Sequence, residues 1–114
     1  MKVFVYGTLR KGQYNHSRLD SAKLIEEIDY INGEMYNYGS FPAITLESDN
    51  RVIGEVYEVD ENILRSLDSL EGYPSFYDRK EVVTEKGHKV FVYFMEQEKV
   101  ERLDKIESGD WLMR

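Results

Sequence analysis

A carboxylate on the apolar face of a helix is the residue of this 114-residue chain best suited to moving protons. Ile63, Leu64, Leu67 and Leu70 form a stripe at helical spacing. Glu71 follows Leu67 by four positions and Leu64 by seven, so its side chain continues that stripe. Low dielectric disfavours the charged form of a carboxyl group and raises its pKa, which fits it to take and return protons near neutrality. The alternative is a solvated Glu71, because it directly precedes the helix-ending Gly72 and such ends usually face water.

The second candidate is the turn Tyr6-Gly7-Thr8-Leu9, which follows an alternating segment. Gly7 permits a positive φ or a close approach of main chain to a small ligand. Consecutive amides at such a turn form a concavity for an anion or a developing oxyanion. The plainer reading is a tight turn in which Thr8 bonds its own backbone. No Gly-Lys-[Ser/Thr] follows and the spacing is not that of a dinucleotide fingerprint. His16 and His88 are the only histidines; His88 falls in a hairpin turn and is expected in solvent, and no nucleophile elbow pairs with His16. Histidines and acids show no metal-ligand spacing, and Glu26-Glu27, Glu96 and Glu98 read as solvated charge.

These residues need a frame. Lys2 to Tyr6 predicts a first strand, Gly7 to Asn15 a loop, and His16 to Leu19 one helical turn. Ala22 to Asp29 and Ile31 to Tyr38 predict two strands broken near Asn32-Gly33, and Gly39 to Pro42 a turn. Ala43 to Leu46 and Arg51 to Val59 predict two more. Glu61 to Glu71 is the one substantial helix, with Asp60 as N-cap and Gly72 then Pro74 as its stop. Tyr77 to Glu85 and Lys89 to Met95 predict a hairpin turning at Lys86-Gly87-His88. The tail from Glu98 predicts a short helix, and Trp111 either an anchor over one edge of the core or the wall of a pocket. The pattern is α+β: one domain over residues 1–114, a mostly antiparallel curved sheet or barrel with one main helix.

Composition narrows the chemistry. Fifteen Lys and Arg against 22 Asp and Glu leave a formal charge of −7, which disfavours a phosphate-backbone partner. Without cysteine there is no disulfide, thiolate nucleophile or Cys-based zinc site. No apolar run approaches a membrane span and no signal-peptide core opens the chain, so a cytoplasmic protein without nucleic-acid or membrane partners is expected. Nine tyrosines imply a sheet-rich core or a pocket with polar fittings. The oligomeric state is not readable.

Several segments together resemble the γ-glutamylcyclotransferase-like family: Val5-Tyr6-Gly7-Thr8-Leu9 with Gly12 and Asn15, Phe41-Pro42-Ala43, Gly54-Glu55-Val56-Tyr57, and Leu67 to Pro74 with Tyr77 and Arg79. The opening, with Arg10-Lys11-Gly12-Gln13 and Asn15-His16, looks closest to the γ-glutamylamine cyclotransferase branch, in which a proline is common where this chain has Tyr14. The resemblance implies a small mixed barrel with a pocket at one end. It also implies an enzyme in which the free α-amine of a γ-glutamyl group attacks its own γ-amide, giving 5-oxoproline and a free amine. It places the acid/base role on Glu71 and substrate contacts on Tyr6, Gly7, Thr8, Leu9 and Tyr77, with no metal or cofactor. A substrate that carries its own nucleophile needs no Ser, Cys or Lys from the protein. The competing readings are a small-metabolite binding domain for a carboxylate ligand, which keeps the pocket without turnover, and an interaction module whose tyrosines are only core. The pocket mouth is expected from Arg10 to Asn15 and Ser75-Phe76.

Overall fold

The structure is a computed structural model and describes residues 1–114. Its strands are β1 (Lys2–Val5), β2 (Lys23–Asn32), β3 (Glu34–Asn37), β4 (Pro42–Thr45), β5 (Arg51–Glu58), β6 (Asp78–Val83) and β7 (Lys89–Phe94). The helices are α1 (Glu61–Glu71) and the single turn α2 (Gln97–Val100), with 3-10 turns at His16–Leu19 and Trp111–Met113.

Alternation along the central strands decides the layering. Val3 and Val5 of β1, Tyr57 of β5 and Tyr93 of β7 point to one core, where α1 buries Leu64 and Leu67. Phe4 and Tyr6, Val52 and Val56, and Val90, Val92 and Phe94 point to the other, which Met35, Ile44, Ile106 and Trp111 complete. The five-stranded sheet has the order β2-β5-β1-β7-β6, antiparallel except for the β1/β7 pair, and β3 and β4 form a separate ribbon. This is the expected α+β class with one main helix.

The sheet curves without closing into a barrel. No ladder joins edge strands β2 and β6; the turn after β6 reaches β2 through one backbone bond, from Glu85 N to Tyr30 O at 2.9 Å. Strand β2 runs past its expected end at Asp29 through Tyr30, Ile31 and Asn32, because these residues pair with Ile53, Val52 and Arg51 of β5, and the break falls at Gly33 as expected. The chain turns at Gly33, whose amide donates to Asn50 O at 2.9 Å. The tail is helical only over Gln97–Val100, because Val100, Ile106 and Trp111 bury at separate points rather than along one stripe. Trp111 is an anchor in the core and lines no cavity found near the candidate residues.

His88 is not in solvent as its turn position suggested. The hairpin folds back on β2, so His88 Nε2 lies 2.7 Å from Glu26 Oε2 and Nδ1 lies 3.0 Å from Lys2 Nζ. Glu26, expected as free charge, is half-buried in this cluster and also meets Lys86 Nζ at 3.3 Å.

Helix α1 is bounded as its sequence dictates. The Asp60 carboxylate accepts from Ile63 N at 2.8 Å, and Gly72 takes the left-handed conformation, φ 64°, that ends the helix. Its last residue is Glu71. No helix is long and apolar enough to cross a membrane.

Candidate active site

Where β1 ends, the chain turns away from the sheet and leaves a cavity of about 680 Å³ lined by 16 residues. Tyr6, Gly7, Thr8, Leu9, Glu71 and Tyr77 are all among them, although they come from the end of β1, the end of α1 and the start of β6. Phe41 and Pro42 from the β3/β4 ribbon, Tyr14 and Asn15 from the first loop, and Phe76 and Tyr93 extend the lining.

The first turn is built by side-chain and ribbon contacts. Gly7 has no positive φ; instead, a Cβ there would come within 2.6 Å of the Pro42 ring, so its close approach is to protein rather than to ligand. Thr8 does not bond its own backbone: its hydroxyl accepts from Asn15 Nδ2 at 3.0 Å, while Asn15 N donates to Thr8 O at 2.8 Å. His16 sits at the same loop, with Nδ1 2.9 Å from Leu9 O. With the loop held in this way, the amides of Gly7, Thr8 and Leu9 donate to no protein acceptor. Three successive free N–H groups beside a cavity form a site for an oxyanion or a carboxylate.

Glu71 is the one charged side chain in the lining, and it makes no hydrogen bond or ion pair with another side chain. Burial among apolar groups pushes its carboxyl up to about 7, opposed by the positive charge of Arg18. The hydroxyls of Tyr6 and Tyr77 are themselves pinned, donating to Tyr93 O at 2.7 Å and to Pro42 O at 2.6 Å. Desolvation raises both phenols, and the Glu71 charge adds to the shift in each. These tyrosines therefore stay protonated and act as fixed, neutral walls.

Two supporting groups were not read as such from the sequence. Asp68, one turn before Glu71, receives Arg79 through both carboxylate oxygens at 2.6 Å and the Tyr93 hydroxyl at 2.7 Å. This ties the end of α1 to β6 and β7 and so orients Glu71 over the cavity. The i, i+3 spacing of Asp68 and Glu71 is the signal that was there to be used. Arg10, expected at the mouth, is instead buried: its Nε meets Glu55 at 3.0 Å and a terminal nitrogen meets Asp110 at 2.9 Å. No group of three His, Asp or Glu side chains converges as metal ligands would.

Residues 3–113 match the family model described as "Gamma-glutamyl cyclotransferase, AIG2-like". The chain belongs to this family. It is 38% identical over 113 residues to a relative in Vibrio cholerae, covering 98% of this chain and 96% of that one. It is 36% identical over 115 residues to the gamma-glutamylcyclotransferase family protein YtfP of Escherichia coli, covering 100% and 98%. The fold matches the crystal structure of an uncharacterized Pyrococcus horikoshii protein with TM-score 0.80 and 31% identity, covering 97% of this chain and 89% of that one. For a gamma-glutamyl cyclotransferase-like chain the arrangement is chemically coherent: one proton-accepting group, a row of free amides and a shaped, mostly aromatic cavity.

Proposed function

We propose that this protein cyclises a γ-glutamyl amide, releasing 5-oxoproline and a free amine. The observation that carries this reading is that Glu71, its carboxyl raised to about 7, lines the same cavity as the free amides of Gly7 to Leu9. The substrate's α-amine attacks its own γ-carbonyl carbon, and the amides receive the carbonyl oxygen as it becomes an oxyanion. Glu71 takes the proton from the attacking nitrogen and gives it to the leaving nitrogen, after which the original amide bond breaks. Atoms balance with no co-reactant. Fixing the glutamyl chain in a folded pose supplies much of the acceleration, since effective molarities of roughly 10⁵–10⁸ M accompany well-oriented intramolecular attack.

The leaving group is an amine rather than an amino acid in this reading, because the lining beyond Glu71 and the free amides is uncharged and mostly apolar. Release of 5-oxoproline from γ-glutamyl amines, compared with γ-glutamyl amino acids, tests the whole scheme. Glu71→Gln is expected to lower kcat by about 10²–10⁴-fold while still binding 5-oxoproline. In the wild type kcat/KM rises as pH climbs through about 7, because Glu71 must be ionised to accept a proton. Equal turnover by the variant removes Glu71 from the mechanism. Tight 5-oxoproline binding with no turnover of any γ-glutamyl compound favours the alternative, a carboxylate-binding domain whose free amides serve only to hold the ligand.

A further inference from the structure

The outer part of the cavity is bounded by rings that the cyclisation step does not use. Tyr38 and Phe41 stack at 5.1 Å with planes 14° apart. Phe76 meets Tyr38 edge-on at 5.5 Å and Tyr77 edge-on at 5.3 Å. Phe41, Phe76 and Tyr77 line the cavity as one wall from the buried Tyr77 outward, Tyr38 braces Phe41 and Phe76 without lining the cavity, and the outer ring Phe76 remains 38% accessible. Edge-to-face packing fixes the ring planes. Lys99 fixes the segment as well, donating to Ser75 O at 2.8 Å and Phe76 O at 3.0 Å. The wall is thus organised before any ligand arrives, which lowers the cost of binding against it.

Tyr14 is the unexplained member. It is 91% exposed, takes part in no hydrogen bond or ring pair, and yet lines the cavity together with Phe41 and Phe76. With no protein partner, the ring is free to meet a ligand held against the wall, and a tyrosine does so at low cost in conformational entropy. A cavity of about 680 Å³ also exceeds what a folded γ-glutamyl group fills, so the wall faces whatever is attached to it.

We infer that Tyr14, Phe41 and Phe76, the last two braced by Tyr38, form the seat of the leaving group, and that this seat selects an amine bearing an aromatic ring. The inference rests on the cyclisation reading for its substrate and extends that reading to the leaving group. An aromatic ring gains stacked and edge contacts that a saturated ring of the same size does not, and those contacts come from faces already held in position.

Three probes test this: the γ-glutamyl amides of benzylamine, of cyclohexylmethylamine and of methylamine. Their dissociation constants are measured by calorimetry with the Glu71→Gln protein, and their turnover with the wild type. The benzylamide is expected to bind about fivefold to tenfold more tightly than the cyclohexylmethyl amide. Tyr14→Ala and Phe76→Leu, each introduced beside Glu71→Gln, bring that ratio down toward one. Tyr14 touches nothing that folding needs, so its variant keeps the comparison readable if Phe76→Leu proves unstable in thermal melts. Equal affinity for the two ring amides, a ratio that survives both substitutions, or no binding of any probe overturns the inference. Absence of turnover by the wild type overturns the cyclisation reading alone, because the affinity ratio still judges the wall.

Discussion

Glu55 is buried and Glu71 half-buried by this fold, and their surroundings treat them in opposite ways. Glu55 lies in β5 and is 6% exposed, but its oxygens accept from Arg10 Nε at 3.0 Å, Lys11 N at 3.0 Å and the Tyr57 hydroxyl at 2.8 Å. Arg10 in turn meets Asp110, so the charge is compensated across three segments. Glu71 lines the cavity with no such partner, and burial alone raises it to about 7. A buried charge with a full set of hydrogen bonds joins segments; a desolvated charge without them is left free to exchange a proton. One small sheet supports both because its loops converge at different places: the first loop closes over β5 through Arg10, while α1 ends at the open cavity.

The largest expected effect comes from removing the compensated acid. Glu55→Ala leaves Arg10 with Asp110 only and is expected to destabilise the protein by about 3–5 kcal/mol, read from denaturant unfolding. A loss below 1 kcal/mol would mean that the Arg10 cluster is not what joins the loop to the sheet.

Removing the uncompensated acid has the opposite sign. Below pH 4.5 the Glu71 carboxyl is protonated in both folded and unfolded chains, so Glu71→Gln and the wild type melt alike. As pH rises toward and through about 7 the wild type is held back from ionising, and it loses stability that the variant keeps. At pH 8 the variant is expected to be about 2–3 kcal/mol more stable, after discounting for contact with solvent in the cavity. Melts that stay parallel between pH 4 and pH 8 would return Glu71 to water and sink the contrast with Glu55.

The smallest effect concerns Arg18, whose guanidinium donates to Ser66 at 3.2 Å on α1 and whose charge lowers Glu71. Arg18→Ala moves the midpoint of the kcat/KM profile upward by a fraction of a pH unit, and added salt shrinks the difference, because an exposed charge acts through water. A downward shift, or one insensitive to salt, would remove Arg18 as the opposing charge.

Much of this contrast was visible in the chain before folding, and part of it was not. The apolar stripe of α1 and its caps at Asp60 and Gly72 are local patterns; they continue the stripe to Glu71 but leave a solvated helix end open, and only the cavity resolves it. Only the Tyr57 hydroxyl is a local partner of Glu55; its other partners, Arg10 and Lys11, lie 45 and 44 positions away. The same reason hid His88 and Glu26, 62 positions apart, and led to Arg10 being expected at the mouth. The barrel implied by resemblance is an open sheet because no ladder pairs β2 with β6, a matter of strand curvature that alternation does not encode.

By itself the sequence determined the α+β class, the first strand and the bounds of the main helix, because short-range periodicity and capping chemistry govern each of these; it left Glu71 between the apolar stripe and solvent. Tertiary structure alone decided that Glu71 has no partner while Glu55 has three. It also decided that the amides of Gly7 to Leu9 stay free and that β1, β4, α1 and β7, with their adjoining loops, enclose one cavity. The reason is physical: desolvation and ion pairing depend on which distant groups arrive, and a residue's neighbours along the chain carry no record of that.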